Sequence, residues 1–111
     1  GDYYSVSLTN AAGYNGNYLF FEVYDYDVGD TTSTDALAMG LAEIEDGTAS
    51  SLAYVSDDIV WTGTVGTNYD VYIAIIDSDF SVLAQYTDFP VDDLTFTAGG
   101  IDTPTDGGAN F

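Results

Sequence analysis

Apolar and polar or outward-facing residues alternate with a period of two along most of this 111-residue chain, and that period constrains its fold more than any other feature. Tyr4, Val6 and Leu8 alternate with Ser5, Ser7 and Thr9, and Leu19, Phe21 and Val23 with Phe20, Glu22 and Tyr24. Val71, Ile73 and Ile75 alternate with Tyr72, Ala74 and Ile76, and Leu94 and Phe96 with Thr95 and Thr97. In an extended strand such spacing sends one set of side chains to a core and the other to the opposite face. Asn15-Gly16, Asp46-Gly47 and Gly66-Thr67-Asn68 punctuate these runs as turns. The pattern predicts strands at 3–9, 18–25, 36–45, 48–55, 58–63, 69–77, 81–86 and 93–98. That is an all-β chain, an antiparallel β-sandwich of about eight short strands, open to completion by a strand from a neighbouring subunit.

Residues 36–45 are the ambiguous segment. They are rich in helix formers, Leu37, Leu41 and Ile44 share a helical face, and Thr34 and Gly47 stand where caps would be. The Asp46-Gly47 hairpin signal leading into Thr48-Ala49-Ser50 favours a strand. The chain reads as one domain, 1–111, with a glycine-rich, linker-like tail at 99–111. Hydrophobic residues are 46% of the chain and aromatics 15%, enough apolar surface to offset chain entropy, which argues against disorder.

Charge then removes whole classes of function. There is no Lys, Arg, His or Cys against 19 Asp and Glu, a formal charge of −19. Nucleic acid and anionic membrane surfaces require cations that side chains here do not supply. Ser-His and Cys-His hydrolases lose their base, and zinc sites lose their preferred ligands. The chain contains no disulfide, no bond that trypsin cleaves and no apolar run long enough to span a membrane. Three settings favour such a composition: exposure to trypsin-like proteases, acid that protonates carboxylates, or calcium and high salt that neutralise them. All three are extracellular, and an opening Gly1-Asp2-Tyr3-Tyr4 without Met suggests removal of a signal or pro-segment.

The runs Asn15-Gly16-Asn17-Tyr18-Leu19-Phe20-Phe21-Glu22-Val23-Tyr24-Asp25, Ile59-Val60-Trp61-Thr62-Gly63-Thr64 and Tyr69-Asp70-Val71-Tyr72-Ile73-Ala74-Ile75-Ile76-Asp77 resemble small immunoglobulin-like or transthyretin-like β-sandwich modules of bacterial or archaeal cell-surface proteins. The resemblance implies a sandwich fold and an extracellular setting, and no particular ligand.

Three constellations carry functional expectations. Counting strands as strictly alternating in direction gathers Asp25, Asp27, Asp30, Asp35, Asp57, Asp58, Asp77, Asp79, Asp102 and Asp106 at one end. Of these, Asp25, Asp27, Asp30, Asp57, Asp58, Asp77 and Asp79 form a candidate calcium site, since hard cations take carboxylate oxygens. The plainer reading is turn chemistry, because Asp is a good turn former and the only kind of charge this surface uses freely. Outward-facing Tyr18, Phe20, Tyr24 and Tyr72 are a candidate subunit-packing face, with a sugar platform as the lesser reading. Trp61 reads as core. Asp57-Asp58 and Asp92-Asp93 are adjacent along strands or turns and do not make catalytic pairs, so no enzyme is expected.

Finally, residues 1–9 are a candidate exchanged strand, in which Tyr3, Tyr4, Val6 and Leu8, with Phe111 at the far end of the tail, contact a neighbouring copy. The expected function is a structural subunit, pilin-like or sheath-like, of a non-covalent extracellular homopolymer. The alternative is a calcium-dependent adhesin or carbohydrate-binding module. No Asn-x-Ser/Thr acceptor exists, so a glycan would sit on Ser or Thr, for instance in Thr31-Thr32-Ser33-Thr34.

Overall fold

The computed structural model describes residues 2–25, 35–87 and 91–111. Among them run ten strands: β1 (Tyr4–Thr9), β2 (Tyr18–Asp25), β3 (Ala38–Glu43), β4 (Ala49–Leu52), β5 (Tyr54–Ser56), β6 (Ile59–Val60), β7 (Asn68–Ile76), β8 (Val82–Gln85), β9 (Val91–Thr95) and β10 (Ile101–Asp106). They form a three-stranded sheet, β10-β1-β4, and a seven-stranded sheet, β6-β5-β3-β2-β7-β8, with β9 also pairing β7. The expected all-β sandwich is therefore the fold, antiparallel except where β1 and β10 run parallel.

The core is the set of inward positions that the alternation picks out. Tyr4, Val6 and Leu8 of β1 face Leu19, Phe21 and Val23 of β2 and Val71, Ile73 and Ile75 of β7, all essentially inaccessible to water. The Tyr4 and Phe21 rings meet edge to face at 5.7 Å. Trp61, Tyr69 and Phe96 form a triangle of T-shaped contacts at 5.0–5.4 Å, so Trp61 packs against the core as expected.

Local turn chemistry sets the hairpins. Asp46 and Gly47 both have positive φ, the requirement of a type I′ turn, and Glu45 and Thr48 exchange two 3.0 Å backbone hydrogen bonds across it. The helical propensity of 36–45 loses to packing. Gly40 lies opposite Phe21, and a Cβ there would sit 2.0 Å from Phe21 Cε1. Gly40 is thus the floor on which the Phe21 ring lies, and an extended β3 presents it to the ring.

Two expectations of chain organisation are corrected. The segment 48–55 is two strands, not one. The chain changes sheets at the fully buried Ala53, whose N–H donates to Tyr4 O at 2.8 Å while its carbonyl accepts from Trp61 N at 2.9 Å. The linker-like tail contains β10, paired with β1 in register from Tyr4↔Ile101 to Thr9↔Asp106. Side-chain bonds lace the pair and its end, among them those of Tyr4, Ser5, Ser7, Thr105 and Asn10. Tyr4 Oη lies 2.6 Å from Thr103 Oγ1, and Ser5 and Ser7 both donate to the Asp102 carboxylate, at 2.7 and 2.9 Å. Thr105 donates to Ser7 O at 2.8 Å and Asn10 to Asp106 Oδ1 at 3.0 Å.

Candidate functional site

The strand directions decide what becomes of the aspartates. β2 starts at Tyr18 opposite Ile76 and ends at Asp25 opposite Tyr69. β5 runs parallel to β2, because each is antiparallel to β3, so the Asp57-Asp58 turn lies toward the Asp25 end. Asp77 and Asp79 follow β7 at the other end, roughly 24 Å away along β2. The alternating count fails at 61–67. β6 is only two residues long, and the connection after it returns to the end it came from, so β6 and β7 run the same way. The described members of the calcium set thus split between two ends. Asp27 and Asp30, like the Thr31-Thr32-Ser33-Thr34 run, lie outside the described residues. Among the described residues no group of three or more carboxylates is placed to hold a metal ion.

What several carboxylates do instead is accept hydrogen bonds from the chain. Asp77 Oδ1 takes the backbone N–H groups of Asp79 and Ser81, both at 2.9 Å, closing the turn before β8. Asp2 Oδ1 accepts from Gly99 N at 2.9 Å. Asp106 Oδ1 accepts from Asn10, Gly108 and Ala109, and the Asn10 bond is the foremost cause that holds its carboxyl below the usual range. With no cation in the chain, hydroxyl and amide donors do the work of ion pairing.

The exchanged-strand expectation is corrected too. β1 is the central strand of the three-stranded sheet, bonded within its own chain on both sides, and Tyr4, Val6 and Leu8 fill that chain's core. They leave the set of candidate contact residues, as does the buried Tyr24. Tyr3 is exposed and bridges to Thr62, and Phe111 packs edge to face on Tyr86 at 5.8 Å.

The outer face of the seven-stranded sheet keeps the rest. Tyr18, Phe20 and Tyr72 are half-buried there, and Phe20 meets Phe80 edge to face at 5.9 Å. A groove of about 210 Å³ runs between Tyr18, Leu41, Ile76 and Phe80. Glu22 lies buried in the middle of this face, opposite Tyr72 and Met39. Burial raises its carboxyl above the usual range, against a hydrogen bond with Tyr24 that lowers it, and Tyr72 is raised first by burial and then by Glu22. No known protein family, curated protein or solved structure matches this chain.

The surface feature that the alternation did not single out lies at the lateral edges of this sheet. Val55, Ile59 and Val60 at one edge, and Phe80, Val82 and Leu83 at the other, are between 41% and 59% exposed. Each edge holds a bulge, whose extra residue is Val55 in one case and Leu83 in the other. No local signal in the sequence singles these edges out: the stretches 59–69 and 80–87 lack charge, but so does the longer 3–21, which contains the buried β1.

Proposed function

We propose that this chain is the structural subunit of a non-covalent extracellular homopolymer. The observation that carries the reading is the pair of exposed apolar edges on the seven-stranded sheet. Sheet edges present unpaired backbone groups, and soluble proteins guard them with Lys, Pro, inward charges, cover, very short strands or bulges. Here β6 is short and each edge is bulged, but apolar side chains are left in solvent. β8 and β6 contain no charge and no Pro, and their large side chains stand in water. The contact is made by these edges and by the neighbouring aromatic face of Tyr18, Phe20 and Phe80, not by exchange of β1.

The −19 charge opposes association, so assembly depends on screening by salt or on protonation in acid, both available outside a cell. Electron microscopy and sedimentation of the purified protein, at low and high ionic strength and at neutral and acid pH, test the reading. Regular fibres or oligomers that grow with salt or acid are expected. Monodisperse single subunits under every condition would sink it.

A further inference from the structure

The geometry points to a directional joint in which β8 of one copy lies antiparallel against β6 of the next. This inference rests on the homopolymer reading and specifies its interface. The path β6-β5-β3-β2-β7-β8 is antiparallel at every step and has six strands, so its two outermost strands run in opposite directions. A second copy related to the first by a screw rotation that follows the twist of the sheet therefore meets β8 with an oppositely directed β6, and the alternation of the sheet continues across the joint. Joining β8 to β8 needs a two-fold rotation and closes a dimer, leaving both β6 edges still open.

The chemistry of the two edges fits the same pairing. Val82 and Leu83 on one side and Ile59 and Val60 on the other are exposed and uncharged. A basic partner gains nothing from such strips, whereas a second copy supplies the complementary apolar surface and keeps its carboxylates elsewhere. β9, which shares the β8 edge of β7, carries Asp92 and Asp93 in its sequence, so the joint centres on β8. The other sheet offers no equal surface: its edge strand β10 contains Pro104, which has no N–H to donate, and its edge strand β4 is Ala49-Ser50-Ser51-Leu52.

The absence of cysteine makes the test direct. Val82→Cys and Val60→Cys are made as separate variants, both at exposed positions, and oxidised under conditions in which the unmodified protein assembles. The expected result is a covalent dimer that dominates in the mixture of the two and is minor in either variant alone. A second pair, Leu83→Lys and Ile59→Lys, each blocks one edge; alone neither elongates, and mixed they give dimers and nothing longer. Assembly that persists while Val82→Cys links chiefly to itself, or while neither the mixed link nor the Lys block appears, overturns the joint and leaves the homopolymer standing. Failure of the unmodified protein to assemble at all overturns both.

Discussion

The two sheets use the same few residue types to opposite ends. In the three-stranded sheet, Ser5, Ser7, Thr103, Thr105, Asp102 and Asp106 turn the pairing of β1 and β10 into a laced seam, and Pro104 blunts the outer edge. In the seven-stranded sheet, the edge strands carry Val, Leu and Ile into solvent with neither charge nor proline. A chain without cations cannot guard an edge with lysine, so hydroxyl donors, carboxylate acceptors, proline, short strands and bulges are what remain. The three-stranded sheet uses the polar groups and proline, whereas the seven-stranded sheet has only a short β6 and two bulges and leaves apolar side chains in solvent. The difference teaches where such a protein is finished and where it is open to a copy of itself.

Removing β1 is the hardest way to break that contrast. Deleting residues 1–9 takes Tyr4, Val6 and Leu8 from the core, at about 1.5–3 kcal/mol each, or about 5–9 kcal/mol together. That rivals the whole stability of a domain, about 5–15 kcal/mol. The expected outcome is a chain with no cooperative thermal transition by circular dichroism. A truncated chain that still melts cooperatively would mean that the seven-stranded sheet folds without its partner.

Gly40→Ala probes the layer between the sheets. The new methyl meets the Phe21 ring, a loss of about 1–3 kcal/mol measured by denaturant unfolding. Combining it with Phe21→Leu is expected to cost less than the sum of the two single changes, because the smaller side chain vacates the space. Additive costs would show that the clash is relieved elsewhere.

The seam should answer to a smaller change. Asp102→Ala removes the acceptor shared by Ser5 and Ser7 and is expected to cost about 1 kcal/mol, leaving assembly through the edges intact. An Asp102→Ala variant of unchanged stability but lost assembly would reverse the roles assigned to the two sheets.

The smallest effects are those of pH, and they run in opposite senses. Glu22 has its folded pKa raised by burial, so its contribution to stability is present while it is protonated and is lost as pH rises through the folded pKa. Glu22→Gln is expected to raise the melting temperature at about pH 7 and to change little in acid below the ordinary Glu range. Asp106 has its folded pKa lowered, foremost by the Asn10 hydrogen bond, so its contribution is present above the ordinary Asp range and is lost as pH falls through the folded pKa. Asp106→Asn is expected to lower the melting temperature at about pH 7 and not in strong acid. Calorimetry of both variants across pH checks the signs, and equal signs at neutral pH would overturn the assignment.

What the sequence determined by itself is what neighbours along a chain determine. Period-two alternation at Tyr4–Leu8, Leu19–Val23 and Val71–Ile75 identified the strands and the inward residues, because side-chain direction follows from local backbone geometry. Asp46-Gly47 named its own turn, because only certain residues accept positive φ at both central positions. The lack of Lys, Arg, His and Cys removed chemistries that no fold can restore. The tertiary structure decided everything that depends on partners distant in sequence. It made 101–106 a strand, because β1 offers an edge with matching hydroxyls about a hundred residues away. It settled 38–43 as the strand that the Asp46-Gly47 turn already favoured, because the Phe21 ring needs Gly40 beneath it. It split the aspartates between two ends, because a two-residue β6 returns the chain without reversing the sheet. And it left β6 and β8 outermost, since which strand becomes an edge is settled by strand order, a property of the assembled sheets that no local run of residues contains.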